Sequence, residues 1–487
     1  MKNWLSEQAQ NQPQKLALVC GDQQWTYGEL ADEARRWAAL FETCVGDAGA
    51  ERIALCGPNR AQSVFAAHGA WWCGASVVGL HHRATKAELE AQLGQIEPSL
   101  VIGADEVDVG PWPSMSWSEA GRRARDMTAD LAPRAVEPDQ VMTILFTSGS
   151  SGRPKAVPLT VSNHLASAQA TAERLDVGQG DRWLCCLPLC HIGGLAIVIR
   201  CAVYGATVEL MEDFDAEVVL ERLAKRPVTM ASFVPTMLVR ILQRAGEEVN
   251  SQLRCVLIGG GAIGNKLLAR ARKANIPVVS TYGMTEATSQ ITTLSPTAPP
   301  RYLHTAGRPL SGVEVEIRDD SGAPVETSES GEVGAIFVRG ATITPGYLDA
   351  ENKRDESQWF ETGDFGHIDE EGRLVIDPRR GERIVSGGEN VDPRQVEAVL
   401  LDCDQVADVA VVGVDDPTWG QVVAALVVAS DKEQQDELDF DKLAKACRRE
   451  LAPFKVPRRW ASIHKIPRTV SEKTKRDEVR RYLAGHN

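Results

Sequence analysis

Thr147-Ser148-Gly149-Ser150-Ser151-Gly152-Arg153-Pro154-Lys155 follows directly on an apolar run at 141–146. The run reads as a buried strand, so the nine residues form a strand-exit loop. Two glycines let the main chain come close to an anion, while backbone N–H groups, hydroxyls and the Lys155 ammonium offer donors to phosphate oxygens. A Walker A loop would place its lysine directly after the second glycine. Here Arg153-Pro154 intervenes, which excludes that loop. The stretch therefore reads as a triphosphate-handling loop of another kind, with a plain Gly/Ser turn as the other reading.

Outward from this loop, helical periods alternate with short apolar runs. The spacing predicts helices at 29–40 and 61–72 and strands at 52–56, 75–80, 141–146, 182–187, 207–210 and 255–258. That alternation implies an α/β domain with largely parallel sheets. From about residue 313 the texture changes to short alternating segments at 313–318, 334–339 and 374–376, as in a smaller antiparallel β region. A further unit begins near Arg379, with a helix at 393–401, strands at 406–414 and 422–429 and a basic helix at 441–451, an α+β order of domain size. The Pro-rich segment 293–309 is expected as a surface loop, and 377–382 as a short charged hinge.

The 487 residues are too many for one core, so two or more domains are expected. A formal net charge of −14 argues against a general nucleic-acid or anionic-membrane binder. Eleven scattered cysteines, an odd count, together with an N-terminus lacking a long apolar stretch, suggest reduced thiols and a cytoplasmic location. No apolar run approaches the roughly 20 residues of a spanning helix.

Four more segments carry chemistry. Ser280-Thr281-Tyr282-Gly283-Met284-Thr285-Glu286 sets a hydroxyl beside a carboxylate at a strand end, which suits a Mg²⁺–phosphate group; a capped turn is the alternative. Asp364, after Thr362-Gly363, is placed to take ribose hydroxyls or to cap a turn. Gly259-Gly260-Gly261-Ala262-Ile263-Gly264 has the G-x-G-x-x-G form but no acid at the end of the next strand, so it reads as a glycine-lined ligand wall. Pro188-Leu189-Cys190-His191 raises the question of zinc, yet the cysteine spacing lacks a Cys-x-x-Cys pair, so metal is not expected there and His191 reads as a pocket wall. His81-His82 reads as structural or solvated.

In this order the segments resemble the adenylate-forming superfamily of acyl-CoA ligases, adenylation domains and luciferases, from Trp25-Thr26-Tyr27-Gly28 to Arg476. The resemblance implies an α/β fold. A large N-terminal domain, residues 1–378, holds two stacked α/β subdomains and a small β-barrel; a mobile α+β C-terminal domain spans residues 379–487. It also implies roles. Thr147, Ser148, Gly149, Ser150, Ser151, Gly152 and Lys155 match the loop on the β/γ-phosphates of ATP. Tyr282 matches an adenine-stacking residue, Gly283 its neighbour, Thr285 an α-phosphate contact and Glu286 the Mg²⁺ ligand. Gly260, Gly261 and Ala262 match an adenine and acyl wall, Asp364 the ribose acid and Arg379 a ribose/phosphate contact. Lys473 matches the lysine of the adenylation step, with Lys475 as the alternative because Glu472 replaces the usual glycine. Gly387 and Gly388 match the passage for the coenzyme A arm.

Segments 188–194, 195–205, 288–296 and 386–390 are similar to the branch of the superfamily that joins o-succinylbenzoate to coenzyme A in menaquinone synthesis. The implied partners are ATP, Mg²⁺, coenzyme A and a small carboxylic acid, with His191, Arg200, Ser289 and Gln290 around the acid. No nucleic acid and no membrane insertion are implied, and a homo-oligomer is compatible. Another aryl- or fatty-acyl-CoA ligase, or an enzyme loading a carrier protein, is the alternative, as is a nucleotide-binding protein without catalysis.

Overall fold

A computed structural model describes residues 3–47, 51–103, 109–148, 154–244, 252–261, 265–319, 321–325, 332–349, 354–377, 384–430, 438–467 and 474–485. The chain divides into two compact units. One comprises Met1–His82, Gln95–Phe146 and Ala156–Gly381; the other comprises Arg83–Gly94, Thr147–Lys155 and Glu382–Asn487.

The first unit carries three sheets. The largest runs Arg308–Pro309, Thr292–Thr293, Val278–Tyr282, Cys255–Ile258, Met230–Phe233, Arg182–Cys185, Thr207–Leu210, Leu16–Cys20 and Gln23–Thr26. Its central strands pair in parallel, and antiparallel strands close each edge. The second runs Ser114–Ser116, Leu100–Gly103, Arg52–Cys56, Ser76–Leu80, Val141–Ser148 and Pro154–Thr160. Central strands such as Cys255–Ile258 are buried along their whole length, which is why they read as unbroken apolar runs rather than alternating ones. One continuous core takes side chains from both sheets, including Leu18, Trp183, Ile53 and Val77. The small β region is a four-stranded antiparallel sheet, a half-barrel, ordered Val313–Arg318, Gly334–Gly340, Phe360–Ile368 and Leu374–Ile376.

Helix Tyr27–Val45 starts at a capping box in which Thr26 and Glu29 satisfy each other's backbone N–H groups. It lies against helix Ala61–Trp72 at a glycine: a Cβ on Gly69 would sit 2.6 Å from the Trp37 Cβ. The indole N–H of Trp71 then donates to the Met142 carbonyl at 3.0 Å, tying this helix to the strand that leads into the Gly/Ser loop.

Segment 293–309 is only in part a surface loop: Thr297, Pro299, Pro300, Arg301 and His304 are exposed, but the rest is built into the fold. Its two ends pair as strands, and Leu294, Leu303, Thr305 and Ala306 are buried. Gly307, at φ 79°, sits so close to the Thr293–Leu294 backbone that a Cβ would come within 2.1 Å of it. The prolines mark the exposed turn between these paired ends.

The second unit orders strands Glu389–Val391, Ile384–Ser386, Gly420–Ala429 and Val406–Asp416, with Arg459–Ser462 added in parallel to Gly420–Ala429. Helices Pro393–Leu401 and Phe440–Glu450 share one apolar core with one face of this sheet, and Arg476–Gly485 shares another core with the other.

Candidate active site

Strand Val278–Tyr282 ends at the carboxyl edge of the large sheet, the edge at which open parallel sheets receive ligands. The chain then turns through Gly283 into the short 3₁₀ helix Thr285–Ala287. Glycine is required here, because a Cβ on Gly283 would lie 1.5 Å from the Ser289 carbonyl oxygen. Strand exit and return strand touch backbone to backbone. Thr288 and Ser289 hold φ values of 51° and 92°, a region that side chains disfavour and that functional loops retain only when their surroundings impose it. The surroundings do so: Ser167 Oγ donates to the Thr288 carbonyl at 2.8 Å, and Thr288 Oγ1 donates to the Thr342 carbonyl at 2.6 Å.

Two pairings assemble the nucleotide-side candidates. The Tyr282 hydroxyl donates to Asp364 Oδ2 at 2.8 Å across 82 residues of sequence. Asp364 follows Gly363, whose φ of 76° makes the turn, and its N–H donates to Thr362 Oγ1 at 3.1 Å. An aromatic face and an acid therefore share one wall. The Tyr347 hydroxyl donates to Glu286 Oε1 at 3.0 Å, and the Thr344 N–H donates to the Glu286 carbonyl at 2.7 Å. Tyr347 escaped the sequence reading, since nothing in its local spacing marks it. Glu286 is only 3% exposed. A buried carboxylate held by a phenol is a fixed hard-oxygen donor. That suits Mg²⁺, which takes few protein carboxylates beside phosphate oxygens.

Gly260, at φ 73°, continues this edge; at its neighbour Gly259 a Cβ would meet Thr281 Cγ2 at 2.8 Å. Gly261 is described, and Ala262 lies outside the described residues.

His191 is the N-cap of helix Ile192–Tyr204, but its backbone is extended (φ −113°) and its ring makes no capping bond. The turn before it is clamped by buried Asn59, which donates to the Leu187 carbonyl and accepts from the Leu189 N–H, both at 2.9 Å. His81, read from sequence as structural or solvated, has its ring centroid 5.6 Å from that of His191 and 5.2 Å from that of His82. Packing between the two sheets brings the end of Ser76–Leu80 beside this turn: a Cβ on Gly79 would meet the Cys190 Cα at 2.9 Å.

Arg200, one helical stretch beyond His191, is 3% exposed. Its Nη2 donates to Ser167 Oγ at 2.8 Å, while its Nε is buried without a hydrogen-bond partner. It sits inside its helix rather than at an end, so a surface cap is not its role. Burial lowers its pKa, and burial together with the Arg200 charge pushes His164 down to about 3. Through Ser167 the guanidinium connects to Thr288, next to Ser289. Gln290 is buried, with its amide oxygen accepting from Thr171 and its nitrogen donating to Thr293, both at 2.8 Å. Its polar atoms brace the return strand from inside.

Thr147 and Ser148 close the strand Val141–Ser148, and Lys155 lies in Pro154–Thr160; Gly149, Ser150, Ser151 and Gly152 lie outside the described residues. In the second unit Gly387 and Gly388, at φ 62° and 90°, make the turn between two short strands, and a Cβ on Gly387 would meet the Trp419 ring at 2.8 Å. Arg476 donates to Glu397 Oε1 at 2.9 Å and to the Val411 carbonyl at 2.6 Å, which fastens its helix to the sheet. Lys475 pairs with Glu478 at 2.9 Å. Arg379 and Lys473 fall outside the described residues.

Residues 5–348 match the AMP-binding enzyme family, and residues 395–473 match the AMP-binding enzyme C-terminal domain. The chain belongs to the AMP-binding enzyme family. Among its relatives in that family, the 2-succinylbenzoate–CoA ligase of Bacillus licheniformis is 36% identical over 98% of this chain and 99% of its own. The protein of the same name from Listeria monocytogenes is 35% identical over 99% of each. Among solved structures, a double mutant of o-succinylbenzoate CoA synthetase from Bacillus subtilis bound with a product analogue, OSB-NCoA, superposes with a TM-score of 0.91. It is 32% identical, over 100% of this chain and 99% of that one. The same enzyme in complex with ATP and magnesium ion gives 0.73, at 32% identity over 99% of each. The family expected from the Gly/Ser loop and the Tyr282–Glu286 motif is the family matched. Among the described residues no helix is long and apolar enough to cross a membrane.

Proposed function

We propose that this protein joins 2-succinylbenzoate to coenzyme A, converting ATP to AMP and diphosphate through an acyl-adenylate, as a step of menaquinone biosynthesis. The observation that carries the proposal is likeness along the whole chain, both domains included, to ligases of that name. The Tyr282–Asp364 and Tyr347–Glu286 pairings support it, because each joins a residue of the motif to a polar side chain of the kind a nucleotide or its Mg²⁺ would need.

The acid needs no general base, since a carboxylate is already ionised at neutral pH. Its oxygen attacks the α-phosphorus of ATP and diphosphate leaves; the coenzyme A thiol then displaces AMP from the acyl carbon. Two anions meet in the first step, so positive charge must be held ready for the transition state. Lys473 is the proposed source from residues 379–487, and Thr285 the α-phosphate contact. Glu286 would hold Mg²⁺, which supplies further positive charge to the phosphate oxygens. Thr147, Ser148, Lys155 and the residues between them hold the β/γ-phosphates, Gly260 to Ala262 wall the adenine and acyl pockets, and Arg379 meets the ribose or phosphates. Gly387 and Gly388 leave room for the pantetheine arm. His191 and Ser289 wall the acid, Gln290 braces the bend that carries Ser289, and Arg200 pairs with the carboxylate that is not activated. Residues 1–378 are assigned to ATP and acid, and residues 379–487 to a mobile domain. The cytoplasm is the proposed compartment; none of the eleven cysteines forms a disulfide.

The test is thioester formation from 2-succinylbenzoate, ATP and coenzyme A, scored against a panel of aryl and fatty acids and a carrier protein. AMP, diphosphate and thioester are expected in equal amounts. A higher kcat/KM for another acid, or no AMP with any acid, overturns the proposal. Lys473→Ala is expected to abolish diphosphate exchange into ATP while ATP binding persists.

A further inference from the structure

His81, Cys190 and His191 each offer one metal-ligating atom, and these atoms all lie within 4.8 Å of one another. All three residues are partly exposed, so an ion could reach them. Cys190 and His191 are neighbours in sequence and follow a strand of the large sheet; His81 comes from the other sheet, directly after its central strand Ser76–Leu80. The junction is tight and rigid. A Cβ on Gly79 would meet the Cys190 Cα at 2.9 Å, and Asn59 holds the turn that presents Cys190 by two hydrogen bonds.

We propose that His81, Cys190 and His191 form a binding site for a thiophilic divalent cation, with Zn²⁺ as the type, and that its occupancy excludes the acid substrate. Two imidazoles and a thiolate are a borderline-soft set that Zn²⁺ favours and Mg²⁺ does not. Tetrahedral bonds of about 2.0 Å to nitrogen and 2.3 Å to sulfur separate ligand atoms by roughly 3.3–3.6 Å. Side-chain rotations of about 1 Å therefore close the cluster from its present spread, with the backbone unmoved. Binding releases the Cys190 thiol proton to solvent, and three protein ligands leave a fourth position for water or a carboxylate oxygen. The site is separate from Glu286, which offers hard oxygen. The inhibitory consequence rests on the reading of His191 as a wall of the acid pocket: a ring nitrogen bound to the ion no longer faces the acid.

The experiment titrates the purified full chain with Co²⁺, a spectroscopic stand-in for Zn²⁺, in the absence of ATP and acid. Wild-type protein is expected to bind one ion per chain with a thiolate-to-cobalt charge-transfer band. Zn²⁺ should displace the Co²⁺ and erase the band. Cys190→Ser removes the band, and His81→Gln weakens the affinity by at least the roughly 10–100-fold that loss of even an outer-shell partner costs. Thermal melts of both variants confirm that they fold. In turnover, Zn²⁺ raises the apparent KM for the acid without lowering kcat; Cys190→Ser keeps its zinc-free activity and loses this sensitivity. A wild-type spectrum without the band, or a band that persists in Cys190→Ser, overturns the site. Zinc inhibition that more acid does not relieve overturns the exclusion of substrate. Failure of the proposed ligase reaction would leave the cobalt spectrum unchanged, so the two readings fail separately.

Discussion

Replacing Arg200 with methionine removes a buried cation while nearly preserving its volume. The guanidinium is 3% exposed, bonds to Ser167 Oγ, and keeps its Nε without a partner. A buried charge so poorly compensated is a cost to the folded protein, and buried ionic groups exchanged for apolar ones of similar volume are often neutral or stabilising. Arg200→Met is therefore expected to melt at or above the wild-type temperature. Activity should move the other way. If Arg200 receives the second carboxylate of the acid, truncating one partner of a buried charge pair costs about 2–5 kcal/mol. At 1.36 kcal/mol per decade that is a roughly 30- to 5,000-fold loss in kcat/KM. The assay compares 2-succinylbenzoate with the analogue in which the second carboxylate is replaced by hydrogen. Wild type should prefer the diacid by this factor, and Arg200→Met should lose the preference, because the analogue never used the guanidinium. An equal fall for both acids, or no fall, refutes the pairing. So does a lowered melting temperature with the diacid preference intact, which would make Arg200 a core brace acting through Ser167.

Tyr347→Phe deletes the donor at 3.0 Å from Glu286 Oε1; a hydrogen bond to a charged group is worth about 1.5–3 kcal/mol. Diphosphate exchange should fall by roughly 10- to 100-fold and need more Mg²⁺ for half-saturation, and an unchanged Mg²⁺ titration would remove Tyr347 from the site. Gly283→Ala drives a Cβ against the Ser289 carbonyl. Calorimetry should find ATP binding lost or a clearly lower melting temperature, whereas wild-type behaviour in both would mean that the turn relaxes freely. Burial pushes His68 and His164 down to about 3, against an ordinary value near 6.5. Between those limits the unfolded chain binds protons that the folded chain refuses, so stability is complete above about pH 6.5 and declines as pH falls. The slope is up to about 1.4 kcal/mol per pH unit for each ring. His68→Gln should flatten the dependence of the urea midpoint between pH 6.5 and 5; an unaltered slope would mean that His68 stays protonated in the fold.

Much of the fold was legible in order of residues alone. Strands Arg52–Cys56, Thr207–Leu210, Cys255–Ile258 and Leu374–Ile376 and helices Ala61–Trp72 and Pro393–Leu401 stand where the hydrophobic pattern places them. Helix Tyr27–Val45 overruns the expected 29–40 at both ends: the Thr26 box starts it two residues earlier, and it continues five residues past Leu40. These features depend on neighbours within a few residues, and so does the Tyr282–Glu286 turn. The segment 293–309 was read as loop throughout because proline content reports its exposed turn and not the paired and buried residues that flank it. Tyr282 meeting Asp364, Tyr347 meeting Glu286 and His81 meeting His191 were decided only by the tertiary structure. Periodicity states which face of an element is apolar, but not which strand lies next to it. The packing of one sheet against another and of loops against strand ends selects partners across tens of residues, and chemistry at a strand end is completed by whichever segment that packing brings there.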